Sequence, residues 1–394
     1  MSVQQWRMKI LLALVGIIIG LVVVEAGLRL MGIEYPLFYD YDPYLGNKLR
    51  PGVKGYYVSE GRGYVSINSD GLRDREHPIS HPADTLRIAV LGDSYTEAMQ
   101  VNADEAFWAV MAKELQHCDK LRGRKVEVIN FGQSDFGTTQ ELIELRHKVW
   151  KYSPDVVLLA FTTGNDVSDN SRKLKQVNYY PYYIYQVDKL ILDDRQTKEN
   201  WAKENTFYRQ IIVNHLFTLR FVQVINHTKD LLRNWWLAQA SRNTATTSSV
   251  KGQESGISDS IYRAPTSEAW KDAWRVTEGV LLLMRDEVRQ KGAQFFLVTL
   301  TNGAQVDPNP ANRLVFAKSL GVGDLFYTER RLENFCQEHH IPILLLGPPF
   351  QAYATQHHVF LHGFGKTLGT GHWNPEGHRL AGQTIARWLC PQLH

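Results

Sequence analysis

Three apolar runs in this chain each deliver a polar, glycine-bearing turn. LRIAVLG (86–92) leads into Asp93-Ser94, KVEVINFG (125–132) into Gln133-Ser134, and DVVLLAFT (155–162) into Thr163-Gly164-Asn165-Asp166. A fourth polar block, GTGHWNPEGH, places His372 just ahead of a helix-like stretch near the C-terminus. These residue types suit nucleophilic acyl chemistry. A serine hydroxyl is a weak nucleophile until a base takes its proton, and His372 is the candidate base for Ser94. Attack on an ester produces an oxyanion, which needs donors fixed in advance. The Ser94 amide, the Gly132 amide and the Asn165 side-chain amide are the candidates. Glycine at 132 would let the backbone approach a substrate with no side chain between. Taken singly, Ser94 reads as a helix cap and Asn165 as a turn residue; only the set points to catalysis.

The elements that must position these residues alternate strand and helix from about residue 85. LRIAVLG is a continuous apolar run of the buried-strand type, and the other two read as the second and third strands. DEAFWAVMAKEL (104–115) has helical spacing, and Thr138 with Glu141 forms a capping box ahead of LIELRHKVWKY. The rhythm pauses over 167–265, then resumes with a helix over 267–291, the strand QFFLVTL (294–300), a helix over 327–338, the strand PILLLG (342–347) and a last helix from Pro375 to Leu389. This order predicts an α/β fold, a parallel sheet covered by helices on both faces. The C-terminal strand ends of such a sheet lie along one edge, where ligands bind, so the three turns should meet there.

GDSYTE, the Gly132 turn, GND and HWNPEGH together resemble the SGNH (GDSL-type) hydrolase superfamily, over roughly residues 85–170 and 290–390. The resemblance implies that Ser94, Gly132, Asn165 and His372 are the four signature residues, and that the fold is the three-layer SGNH type. It extends to a membrane-anchored bacterial subset with a Tyr-rich collar before the first motif. One departure matters: the family places an aspartate two or three residues before the histidine, and here those positions are Thr370 and Gly369. Neither carries a negative charge, so the catalytic acid is unknown from sequence. A backbone carbonyl or the Thr370 hydroxyl, an aspartate distant in sequence, or no acid at all would each fit. The GxSxG elbow of the other large serine-hydrolase fold is absent.

Around this core the chain divides into an anchor (1–33), an extended collar (34–84) and the hydrolase-like domain (85–394) with its insertion at 167–265. Residues 10–24 carry no charge, and Arg7 and Lys9 precede them. Counted to Ile33, the segment is long enough for a bilayer, which needs about 20 residues. The flanking charges favour an inside N-terminus and an extracytoplasmic main domain. A cleaved signal peptide ending near Val24-Glu25-Ala26 is the competing reading, and a buried core helix a third. Net charge is +3, which excludes a global basic field for nucleic acid. The three cysteines, Cys118, Cys336 and Cys390, permit one disulfide whose pairing stays open and have no metal-type spacing.

Other chemistry-bearing residues have plainer roles. Asp93 is expected to brace its turn, Asp166 to be structural and His378 to pack or cap. His357, His358 and His362 lack the further ligands a zinc site wants, and the serine mechanism needs neither metal nor cofactor. The tyrosines between 179 and 185 read as packing, with a sugar platform as the alternative. Trp235 and Trp236 are adjacent, so on a helix they cannot share one face fully; exposure of one, against membrane or partner, is the alternative to packing. The polar segment 243–260 is expected to be mobile. The function implied is an exported, membrane-tethered serine esterase acting on an ester-bearing small molecule or the O-acyl groups of a polysaccharide. An O-acetyltransferase with the same Ser–His site and a weak or inactive glycan-binding module are the alternatives.

Overall fold

The structure, a computed structural model, describes residues 3–244, 254 and 256–393; most of the 243–260 segment lies outside them. Eleven strands and fourteen α-helices are defined among the described residues. Helix α1 (Val3–Leu30) is followed by two hairpins, β1 (Tyr39–Asp42) with β2 (Gly46–Leu49) and β3 (Lys54–Tyr57) with β4 (Gly63–Ser66). The main sheet contains β5 (Thr85–Gly92), β6 (Lys125–Asn130), β7 (Val156–Thr162), β10 (Gln294–Leu300) and β11 (Ile343–Leu345), in the order β11-β10-β7-β5-β6 and parallel throughout. A third hairpin pairs β8 (Tyr182–Gln186) with β9 (Lys189–Asp193).

Helix α2 (Ser94–Glu97) and α3 (Phe107–Leu115) follow β5; α4 (Thr138–His147) follows β6; α5 (Asp166–Asp169) and α6 (Arg172–Lys175) follow β7. The insertion continues with α7 (Arg195–Glu204), α8 (Asn214–Leu216) and α9 (Arg220–Thr244). The α/β rhythm then returns with α10 (Glu268–Gln290), α11 (Pro310–Leu320), α12 (Tyr327–Glu338), α13 (Gly347–His357) and α14 (Pro375–Leu389).

Every residue of β5 and β7 is buried, as a strand covered on both faces requires. Their side chains alternate between two cores. Ile88, Val90, Leu158 and Ala160 meet α3, α13 and α14. Ala89, Leu91, Val157 and Leu159 meet α4, α10 and α12. Burying each leucine of these layers contributes about 1.5–3 kcal/mol relative to leaving it exposed. Arg87, the one charge in β5, is buried with its Nε donating to Glu127 at 2.7 Å. β5 lies between β6 and β7, so strand order reverses there, and the crevice at the carboxyl ends of β5 and β7 is the expected ligand position.

The structure differs from the sequence reading in detail. Thr138 is the first residue of α4 and not its cap, because its hydroxyl accepts from Asn170; Gln140, not Glu141, reaches back to the Gly137 amide at 3.0 Å. Helices α11 and α13 were not expected. α13 opens Gly-Pro-Pro, which reads as loop, yet proline is tolerated in a helix's first turn. Tyr180, Tyr182 and Tyr183 are buried, which is the packing role expected of them. Cys118 is joined to Cys390, tying the end of α3 to the C-terminus, and Cys336 is buried and free.

Residues 34–84 lie on the main domain. Phe38, Leu49, Val65 and Ile67 form a small core with Met99, and the buried Arg73 donates to the Glu97 and Val101 carbonyls at 2.7 and 2.5 Å.

Candidate active site

β5 ends at Gly92 and the chain turns at Asp93, whose Oδ1 accepts the Tyr95 amide at 2.9 Å and starts α2. That is the bracing role expected of Asp93. Ser94 is the first residue of α2, half-buried. The first N–H groups of a helix have no intrahelical partner, and the Ser94 amide donates to no acceptor among the described residues.

His372 comes from the loop before α14. That loop is pinned from several sides: Gly363 N–H donates to the His372 carbonyl at 2.8 Å, Gly371 N–H to Glu254 at 3.1 Å, and Trp373 Nε1 to Thr301 Oγ1 at 2.9 Å. Beneath it, the buried His362 donates from Nδ1 to the Gly371 carbonyl at 2.7 Å and accepts the Thr301 hydroxyl at Nε2, 2.9 Å away. Burial pushes His362 down to about 4, so it stays neutral as a structural strut. The Asn374 side chain then caps α14, accepting the Glu376 and Gly377 amides at 3.1 Å each.

This loop brings His372 Nε2 to 2.7 Å from Ser94 Oγ. The other ring nitrogen, Nδ1, lies 2.5 Å from Glu60 Oε2, and the His372 amide donates to Glu60 Oε1 at 2.9 Å. Glu60 sits in the turn between β3 and β4 of the collar. Its carboxylate fixes the tautomer: Nδ1 carries the proton and Nε2 is free to accept from the serine hydroxyl. The position left open at 369–370 is thus filled from elsewhere. Gly371 permits it, since its φ is +81° and an added Cβ would stand 2.3 Å from Glu60 Oε1.

The electrostatics follow from this pairing. Burial opposes charge on His372, but the hydrogen bond and charge of Glu60, with Asp93 and Glu97 adding, raise it above the ordinary histidine value. Burial likewise raises Glu60, and the bond to His372 outweighs it, leaving the carboxyl below its usual range. The collar touches the site a second time. Tyr39 donates to the buried Glu97 of α2 at 2.7 Å, Ser134 shares that carboxylate, and burial lifts Glu97 to about 7.

The other two predicted residues lie against the neighbours of Ser94, Asn165 against Asp93 and Gly132 against Thr96 and Glu97. Asn165 Nδ2 is 3.1 Å from Asp93 Oδ2 and 3.3 Å from Asp169 Oδ2, with Oδ1 unpartnered. The Gly132 amide donates to Asn130 Oδ1 at 2.8 Å. The close approach that glycine permits at 132 is to α2: an added Cβ would stand 2.4–2.5 Å from the Thr96 and Glu97 backbone. Asp166 accepts the Thr162 amide at 2.8 Å, a structural role. His378 accepts the Phe107 amide at 3.3 Å and stacks on the Phe107 ring, so it both packs and caps.

Glu60 is the site residue that sequence reading missed. SEGRG reads as a hairpin turn, and nothing local marks its glutamate as the partner of a histidine 312 positions later.

No family model matches the chain, and no curated protein matches it. Among solved structures it is similar to the acetyl xylan esterase AlAXEase, at 12% identity and a TM-score of 0.38, over 77% of this chain and 98% of that one. It is also similar to a GDSL-like lipase from Bacteroides thetaiotaomicron, at 12% identity and a TM-score of 0.34, over 80% and 93% of the two chains. An acetylxylan esterase from Geobacillus stearothermophilus, Axe2, matches at 12% identity and a TM-score of 0.36, over 77% and 93%.

Proposed function

We propose that the protein is a serine ester hydrolase of the SGNH type, exported and tethered to a membrane, that removes O-acyl groups from a glycan or other envelope ester. The observation that carries this is the unbroken chain from Ser94 Oγ to His372 Nε2 to Glu60, at 2.7 and 2.5 Å. Ser94 attacks the ester carbonyl while His372 Nε2 takes its proton, and Glu60 stabilises the imidazolium that forms. The Ser94 amide receives the oxyanion; the Asn165 side-chain amide joins it on yielding a bond to Asp93 or Asp169, and the Gly132 amide on yielding its bond to Asn130. Collapse expels the alcohol with the proton from His372. Water, activated by the same histidine, then cleaves the acyl-enzyme to the free acid.

Three observations support the setting. α1 is 28 residues long with mean hydropathy 2.7 over its most apolar window and no buried residue, as a membrane span would be. The Cys118–Cys390 disulfide is of a kind that persists in oxidising compartments. Beside Glu60, a cleft of about 280 Å³ is lined by Tyr35, Tyr39, Tyr56 and Tyr57 with Asn226 and Asp230, aromatic faces and polar groups that suit a sugar. The binding-module alternative drew its support from the missing aspartate, and Glu60 now stands in that place.

The test is acetate release by the full chain from p-nitrophenyl acetate and from an O-acetylated polysaccharide, with and without an unacetylated acceptor glycan. Free acetate, lost in Ser94→Ala, is expected. Acetate appearing only on the acceptor would establish the transferase instead, and no turnover of either ester would contradict both.

A further inference from the structure

Helix α9 is amphipathic in the reverse of the usual sense. A surface helix normally turns its apolar stripe to the core and its polar face to water. Here the polar face is turned to the protein. Gln223 is buried, accepting the Tyr35 amide at 3.0 Å and donating to the Phe217 carbonyl at 2.9 Å. His227 stacks on the Tyr35 ring with centroids 3.8 Å apart. Asn226 and Asp230 complete the wall that α9 presents to the collar. The opposite face, at ~100° per residue, is Ile225, Leu231, Leu232, Trp235 and Trp236. All five are 56–65% exposed. Exposure of one of the two tryptophans was the alternative reading of the sequence; both are exposed.

The start of this helix is fastened to the end of α1. The uncharged run of α1 stops at Glu25, and Arg29 follows one turn later. Arg29 donates to the Thr218 carbonyl at 3.2 Å, and Glu25 accepts the Phe221 amide at 3.1 Å. If α1 spans the bilayer, Glu25 and Arg29 mark the level of the headgroups, and α9 begins at that level. Lys229 and Arg233 are exposed at the border of the apolar face, where lipid phosphates would meet them.

We infer that α9 lies in the interfacial layer of the bilayer that α1 crosses, its apolar face about 5–10 Å into the headgroup–acyl boundary. The inference rests on the membrane-tethered reading above. Because the polar face of α9 holds Tyr35 and lines one cleft with Tyr57 and Ser59, just ahead of Glu60, it would keep the proposed catalytic acid, and with it the site, near the membrane surface. The ester would be met there, on a chain presented at the membrane rather than far from it.

The experiment is nitroxide accessibility on the full chain in phosphatidylcholine–phosphatidylglycerol nanodiscs. Single labels go on Leu232→Cys, Trp236→Cys and Lys229→Cys, with Ile18→Cys on α1 as the lipid reference; Cys336 is buried and the other two cysteines are bonded to each other, so the added thiol takes the label. The expected result is that labels at 232 and 236, like that at 18, collide more with oxygen than with a nickel chelate, and that the label at 229 shows the reverse. Nickel access at 232 and 236 while 18 reads lipid would place α9 in water and overturn the inference alone. Low collision with both reagents at 232 and 236 would mean that protein, such as a second copy of the chain, covers the face, and overturns it equally. A label at 18 that reads water overturns the tether and the inference together.

Discussion

Glu60 stands 312 positions before His372 in the chain and 2.5 Å from its ring. The carboxylate that meets the proposed base is delivered by the collar, and the sheet that carries Ser94 does not supply it. The site is therefore complete only when the β3–β4 hairpin is docked, and this gives the first prediction. Glu60→Gln keeps the shape and removes the charge, and turnover of an activated ester is expected to fall by about 10³–10⁴-fold with KM little changed. Glu60→Asp retains the charge one methylene short and should lie between. Equal turnover in wild type and Glu60→Gln would remove Glu60 from the mechanism.

The pH dependence has a defined sign. His372 must be neutral to accept the serine proton, so activity rises as pH passes its folded value. That value lies above the ordinary ~6.5 because the Glu60 pairing outweighs burial. The rising limb of kcat/KM should thus sit above pH ~6.5, and in Glu60→Gln, where burial acts without the carboxylate, it should move to lower pH. Since the two groups titrate as a pair, the limb reports an apparent value. A limb that does not move on removing Glu60 would contradict the assignment.

Gly371 offers a geometric check on the same contact. A methyl there would stand 2.3 Å from Glu60 Oε1, on a backbone with φ +81°. Gly371→Ala should displace the carboxylate and lose activity as Glu60→Ala does. The double variant should be no worse than either single one, because both remove one interaction. Additive losses would show that Gly371 acts by another route.

Asn165 and Gly132 should separate by what they break. Asn165→Ala removes a donor next to Asp93 and is expected to lower kcat by about 100- to 1,000-fold, with a smaller fall in melting temperature than Gly132→Ala, because the buried Asp93 and Asp169 lose its amide. Gly132→Ala places a methyl 2.4–2.5 Å from the α2 backbone, so its melting temperature should fall along with its activity. Calorimetry together with steady-state kinetics reads both.

The Cys118–Cys390 disulfide closes a span of 272 residues, and neither cysteine is among the proposed catalytic residues. Cys118→Ser with Cys390→Ser should destabilise the protein by about 2–4 kcal/mol while leaving kcat per folded molecule unchanged. Urea titration and active-site counting on the same sample test this.

Much of this was legible in the sequence because it is local. The runs ending at Gly92 and Thr162 are apolar but for Arg87 in the first and Asp155 at the start of the second, so their burial on both faces and their polar termini followed directly. Ser94, Asn165 and His372 each sit where such a strand ends or a helix begins. Glu60 was illegible because its role comes from docking a hairpin onto a distant loop, and no periodicity records such a contact. Helix α13 was hidden by its Gly-Pro-Pro start. The face of α9 was hidden for a different reason: an amphipathic pattern tells which residues share a side, not whether that side meets core, water or lipid.

The central claim is that Ser94 is activated through His372 by Glu60. Covalent labelling by a fluorophosphonate tests it most directly, since the probe needs an activated serine and almost no substrate match. Wild-type full chain in detergent is expected to label stoichiometrically, Ser94→Ala and His372→Ala not at all, and Glu60→Gln far more slowly than wild type. Absence of labelling in the folded wild-type protein, or wild-type labelling rates in Glu60→Gln, would contradict the account.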